Sequence, residues 1–333
     1  MDSIPYSAAR LKELPQSRIF VVATATTVSI AGPGAVTCLQ GLLTNDVAGG
    51  TDRLIYGALL TAKGMIAVDY WTFRIGEGFV LVAEASAREA SAELFRRQLP
   101  PRLARASDRS TDWRALWVLG SHAAVAAAAE IDLPPPGNAR LAGDLLVGAG
   151  TERTPFRALI VGPEAAIESL AARLLARGAR AGDSSDLRAA RVLAGAPTLG
   201  PEIDDRTLPQ EVGFDELDGI SYTKGCYVGQ ETVARLHFRG HANWQLRSIA
   251  GSGIAETAPS EIEVSGKVVA RIGTLLRLDD GSVRGLAKVR REIELGAQLP
   301  YGGGTLAVGS ARNAKSPDPA GDQGSPDEPP TAV

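Results

Sequence analysis

Residues 224–231 read KGCYVGQE, within the longer stretch YTKGCYVGQETVARLHFRG at 222–240. Cys226 is one of two cysteines in the chain, and His237 and His241 are two of its three histidines. Gly225 and Gly229 bracket Cys226, Tyr227 and Val228. Glycine permits positive φ and lets the backbone come close to another surface. From Glu231 onward, ETVARLHF predicts a helix. The backbone N–H groups near residues 229–232 would then point outward at its N-terminus, a favourable place for a thiolate, carboxylate or phosphate. Lys224 adds positive charge two residues before the cysteine, and both effects lower a thiol's pKa. Three readings of Cys226 stay open: a reactive thiol, a metal ligand, or a small apolar side chain in a turn. A Cys–His pair with His237 or His241 lacks any group to orient either ring.

Arg235, Arg239 and Arg247 follow, so residues 224–247 hold four cations against Glu231. Guanidinium binds carboxylate or phosphate bidentately, which makes this run a candidate site for an anionic ligand. A solvated face is the alternative. A second basic run, FRRQLPPRLARASDRSTDWR at 95–114, holds six arginines against Asp108 and Asp112. It is a candidate RNA contact, although no aromatic-rich RNA-binding motif accompanies it.

The chain has 333 residues, 44% of them hydrophobic and 22% charged, which predicts two or three globular domains with sizeable cores. A net charge of −3 excludes a strongly basic binder and speaks against DNA as a partner. No apolar run approaches the roughly 20 residues that span a bilayer, so no membrane role is expected. The N-terminus, MDSIPYSAARLKELPQSRIF, carries acids and prolines where a signal peptide would be apolar, which points to the cytoplasm. Two cysteines fit a reducing compartment. They are too few for a cubane iron–sulfur cluster or a cysteine-rich zinc site within one chain.

Working outward, RIFVVATATTVSIA (18–31) and YGALLTAKGMIAVDYWTFRIGEGFVLVAE (56–84) read as strands. ASAREASAELFRRQL (85–99) reads as a helix ended by prolines, and strand–helix alternation returns through 113–194. After residue 244 the texture changes to short strands separated by glycine turns, which suggests a small antiparallel barrel or sandwich. From about residue 311, Pro, Gly, Asp and Ser dominate, and disorder is expected. GPGAVT at 32–37 has the setting of a dinucleotide loop but lacks its third small residue and an acidic partner, so it reads as a turn.

KGCYVGQE is similar to the K-G-C-Y-x-G-Q-E signature of the YgfZ-type folate-binding proteins, within the wider family of the glycine-cleavage T-protein, an aminomethyltransferase. CLQGLLTNDV (38–47), YGALLTAKGMIAVDYWTFR (56–74) and RVLAGAPTLGPEIDDRTLPQEVGFDELDGISYTKGCYVGQETVARLHFRG (191–240) resemble the family too, the last including L-P-Q-E at 208–211. The resemblance implies an α+β, three-domain, T-protein-like ring, with two α+β domains and a C-terminal antiparallel β-barrel around a central channel. It implies a discontinuous folate-binding domain at 1–50 and 115–243, a second α+β domain at 51–114, the barrel at 244–310, and a tail at 311–333. It implies tetrahydrofolate as cofactor, iron–sulfur client or assembly proteins as partners, and a link to tRNA modification. The signature carries over onto Lys224, Gly225, Tyr227, Gly229, Gln230 and Glu231, with Cys226 as the functional thiol and Arg235 or Arg239 meeting the folate's glutamate. The T-protein carries a paired Asp-Asp; here Val68 precedes Asp69, so one carboxylate remains. That makes aminomethyl transfer, the alternative function, doubtful, while Asp69 stays a candidate pterin contact.

Overall fold

The computed structural model describes residues 2–312. Of the tail expected at 311–333, residues 313–333 lie outside the described residues. Three sheets organise the chain. The first has six strands, in the order Arg180–Ala181, Ile19–Ala23, Trp113–Val118, Ala158–Pro163, Leu145–Ala149, Ala139–Ala142. Its strands alternate between two buried faces, as a period of two requires. Phe20, Leu116, Val118, Val147 and Ile160 face the helices Ser121–Ile131 and Glu164–Ala176. Val21, Trp117, Leu159 and Val161 face the second sheet.

The second sheet orders Arg53–Leu60, Ile66–Ile75, Gly78–Ala83, Thr26–Ala31 and Arg105–Asp108. Val28, Ile30, Val68, Tyr70 and Leu81 pack outward with Phe95 of the helix Arg88–Gln98. Leu54, Tyr56, Trp71, Phe73 and Val82 face inward. The sheets meet on a run of rings: Tyr56 to Trp71 at 4.6 Å, Trp71 to Phe156 at 4.8 Å, and Phe156 to Trp117 at 5.1 Å. Gly148 marks the closest approach, since a Cβ there would stand 2.9 Å from both Leu54 and Phe73. Thr26–Ala31 thus leaves the first sheet, where Ile19–Ala23 lies, and pairs with Gly78–Ala83 and Arg105–Asp108.

The C-terminal strands do not form the expected barrel. They make an open sheet in the order Asp2–Tyr6, Lys267–Leu278, Ser282–Arg290, Trp244–Ser252, Gly304–Ser310, Gln298–Tyr301, with Glu261–Val264 also on Lys267–Leu278. The reason lies in the long strand Lys267–Leu278. Its outer edge is already filled, by Glu261–Val264 along 267–271 and by the parallel strand Asp2–Tyr6 along 274–278. Among the described residues, no ladder joins that edge to Gln298–Tyr301. The GPGAVT stretch is a turn: Gly34 N–H donates to Leu103 O at 2.8 Å, and the helix Ala35–Gln40 that follows has six residues.

The segment between the helices Ser184–Ala194 and Gln230–Arg239 has little regular structure, yet it ties the sheets together. Glu202 is buried and accepts from Thr198 N–H at 2.8 Å and from Thr274 N–H, in the third sheet, at 2.6 Å. Asp204 binds the buried Lys288 ammonium of the same sheet at 2.9 Å. Thr207 O accepts from Ile66 N–H in the second sheet at 2.8 Å.

Candidate functional site

Three stretches far apart in sequence meet at KGCYVGQE. Lys224 Nζ donates to Leu43 O at 2.7 Å and Asn45 O at 2.9 Å, and lies 5.0 Å from the centre of the Tyr227 ring. Val228 N–H donates to Gly41 O at 3.2 Å. These bonds dock the signature turn on the 38–47 stretch. Gly229, at φ 80°, presses on the tip of the hairpin 60–66, where a Cβ would stand 2.5 Å from Thr61 O. Only glycine tolerates both the left-handed backbone and that approach. Gly64, at φ 89°, answers it from the hairpin side, with a Cβ there reaching 2.8 Å from Thr232.

The turn is closed from within. Gln230 Oε1 accepts from Tyr227 N–H at 3.2 Å, and Gln230 N–H donates to Tyr227 O at 3.2 Å. The predicted helix is there, as Gln230–Arg239. Lys224 does not lean on the thiol; its ammonium is committed to two carbonyls. Burial pulls it down to about 8, with Asp46 opposing. Tyr227 is buried, whereas Gly225 and Cys226 are exposed. Cys38 is half-buried against the second sheet's outer core. Glu231, Arg235 and Arg239 are exposed along the outer side of the helix.

Asp69 lies elsewhere, on the inner face of the second sheet, paired with Ala58. Five residues along the strand separate it from Gly64, roughly 17 Å. Val68 faces the outer core, so of this pair only Asp69 points inward. Asp69 is 7% exposed; Tyr56 donates to its Oδ2 at 2.9 Å and its Oδ1 has no partner. Burial pushes the carboxyl up, against the neighbouring Arg191 guanidinium and the Tyr56 hydroxyl. Arg191 is buried and pairs with Glu84 at 2.6 Å. Burial and Asp69 raise the Tyr56 phenol, while Arg191 and Arg312 act against them.

Arg312 leads from this row of charges into a cavity of about 760 Å³, within the roughly 300–1,000 Å³ of small-molecule sites. Arg153, Gln210, Glu216, Gln245, Arg247 and Arg312 supply much of its polar lining. Arg312 donates to Glu216 O at 3.1 Å and Arg153 O at 3.3 Å, while its buried Nε and second terminal nitrogen have no partner. Burial pulls this guanidinium down to about 10. Gln210 donates to Val233 O at 2.9 Å, yet its buried Oε1 has no partner. Buried polar atoms are almost always paired, so unpaired donors and an unpaired acceptor on two residues that line the cavity make it the candidate place for a polar ligand.

Sequence reading and structure therefore overlap in part. The signature residues come together at the turn, while Asp69, Arg235 and Arg239 lie outside it, and none of these three lines the cavity. Arg247, part of the basic run read as a candidate anion site, does line it, while Arg312 and Arg153 line it without having been singled out as ligands. Arg312 fell in the stretch read as tail. Gln210 was visible only as part of L-P-Q-E.

A fold with two α+β sheets face to face and a third, antiparallel-rich sheet defines the class. The solved glycine cleavage system aminomethyltransferase T from Bartonella henselae superposes with a TM-score of 0.74 at 18% identity, covering 92% of this chain and 90% of that one. Residues 15–133 match the family model described as the GCVT N-terminal domain. The tRNA-modifying protein YgfZ of Escherichia fergusonii is 33% identical over 267 residues, 77% of this chain and 80% of that protein. The YgfZ of Cronobacter sakazakii is 31% identical over 280 residues, 80% and 83% respectively. The chain belongs to the YgfZ family.

Proposed function

We propose that this chain is a tetrahydrofolate-binding auxiliary protein that supports assembly or repair of iron–sulfur enzymes, with a link to tRNA modification. The observation that carries the folate reading is the cavity with its unpaired buried polar atoms on Arg312 and Gln210. The chemistry fits. A folate brings an amide- and amine-rich pterin at one end and two carboxylates at the other. Guanidinium groups suit carboxylates and a side-chain carbonyl suits a pterin N–H. Arg153, Arg247 and Arg312 would hold the glutamate end, and Gln210 would accept from the ring. Asp69, with Oδ1 unpaired and Tyr56 fixing Oδ2, is the buried acid of this reading. When bound, the folate supplies one-carbon or redox chemistry; the protein orients it and keeps it from water.

The names of the YgfZ relatives supply the tRNA link. Cys226 is the exposed thiol for contact with an iron–sulfur client, held out by a turn that Lys224 and Val228 dock on the 38–47 stretch and Gln230 closes from within. In this reading the chain has a folate-binding body, a second α+β unit and a C-terminal unit, acting in the cytoplasm, with Thr26–Ala31 grouped by its pairing with the second unit and Asp2–Tyr6 with the third. Aminomethyl transfer is the competing function. The likeness in fold favours it, but the single inward carboxylate does not.

Complementation tests the auxiliary role. In a strain lacking its own family member, expression of this chain should restore iron–sulfur enzyme activity, and Cys226→Ala should not. Equal rescue by the variant would remove the thiol from the function, and no rescue by the wild type would refute the role.

A further inference from the structure

The structure sorts the chain's arginines into two groups. In the run at 95–114, three of the six arginines meet carboxylates. Glu93 pairs with both Arg96 and Arg97, and Glu164 pairs with Arg114 at 2.7 Å. Arg105 donates to Pro101 O and Arg109 to Ser29 Oγ. Asp108, within the run, takes Arg88 at 2.7 Å. The helix Gln230–Arg239 presents the opposite pattern. Arg235 and Arg239 are exposed, four residues apart on one side, and neither has a carboxylate partner among the described residues. Phe238 stands beside them and is 69% exposed. Its ring meets His237 edge-on at 4.7 Å, and His237 stacks on Tyr222 at 3.6 Å.

Five residues past Arg239, Trp244 continues the surface. The guanidiniums of Arg290 and Arg271 lie 4.3 and 4.7 Å from the centre of its indole. Arg271 is paired with Glu261 at 3.0 Å and Arg290 donates to Val268 O, so the open groups are Arg235, Arg239 and the exposed Phe238 ring, a combination that takes up phosphates and stacks a base. A protein partner would call for a contiguous apolar core to its interface, whereas Phe238 is a lone ring among cations. A duplex hides its base faces, so the complementary ligand is unpaired.

We propose that the outer stripe of the helix Gln230–Arg239, carrying Arg235, Arg239 and Phe238, is a docking surface for single-stranded RNA. The choice of RNA over DNA rests on the tRNA link proposed above; the location rests on geometry alone. Cys226 precedes the same helix, at the end opposite to Phe238 and Arg239.

The test is fluorescence anisotropy with the full chain and a labelled RNA hairpin bearing an unpaired loop. A blunt RNA duplex and a DNA hairpin of matching sequence serve as comparisons. The RNA hairpin should bind best. Arg235→Ala with Arg239→Ala should weaken it about tenfold or more and flatten the salt dependence by about 1.4, from roughly 0.7 per lost phosphate contact. Phe238→Ala should weaken it about fivefold or more with the salt slope unchanged. Arg96→Ala with Arg97→Ala should change nothing. Absence of binding, wild-type affinity in both surface variants, or equal affinity for the duplex or the DNA hairpin overturns the proposal. Tetrahydrofolate binding by the same variants is read separately: its loss in wild type sinks the folate reading and leaves this one standing.

Discussion

Lys224 and Cys226 stand two residues apart and do different work. The lysine is a fastener, its ammonium drawn onto the carbonyls of Leu43 and Asn45 and its charge weakened by burial. The cysteine is a projection, exposed on a turn that Gly229 and Gln230 hold rigidly. Thiol reactivity needs access as well as thiolate, and Cys38, half-buried beside the second sheet, lacks access. Iodoacetamide near neutral pH should therefore label Cys226 well before Cys38, as mass spectrometry of timed digests would show. Equal or slower labelling of Cys226 would return it to a structural role. At this scale the sequence was informative. The glycines, the helix start and the unusual cysteine were all legible, because each depends on neighbours within a few positions. The partner of Lys224 was not, since Leu43 lies 181 residues away.

Among the elements, strands and helices announced themselves through their periods, and most appear where alternation and capping place them. The segment from 195 to 229 did not. Its role comes from buried polar staples to distant strands: Glu202 to Thr274, 72 residues on, and Asp204 to Lys288, 84 residues on. Nothing in a local window shows such pairings. Partial burial pushes the Asp204 carboxyl up, but the Lys288 ammonium and the Thr207 hydroxyl overcome it and hold it at about 2, below the ordinary 3.8. A carboxyl depressed in the folded state binds fewer protons than in the unfolded chain, so its contribution is complete above about pH 4 and disappears as pH falls through about 2. Asp204→Asn should accordingly lower the melting temperature at pH 6, because Lys288 is left buried without its counter-ion. The gap to wild type should narrow as melts are taken toward pH 2. A gap that stays constant with pH would show that the pair does not link folding to protonation.

Across the whole molecule, the α+β class and the likeness to the T-protein were legible, while the closure of the last sheet was not. A barrel and an open sheet share the same short strands and glycine turns. What decides between them is the outer edge of Lys267–Leu278, which Glu261–Val264 and the N-terminal strand Asp2–Tyr6, returning from the far end of the chain, fill between them. The cavity was equally hidden, because its lining comes from the first sheet's loop at Arg153, the connecting segment at Gln210 and the end of the last strand at Arg312. Composition assigned that last residue to a tail; the structure brings it within electrostatic reach of Tyr56, whose hydroxyl donates to Asp69. The central claim is that these unpaired groups receive a folate. Isothermal titration calorimetry of tetrahydrofolate into the full chain under anaerobic conditions addresses it directly. The account predicts saturable binding at one site per chain, weakened about tenfold or more in Arg312→Ala, as loss of a hydrogen bond to a charged group implies. No heat of binding at millimolar ligand, or unchanged affinity in Arg312→Ala, would contradict it.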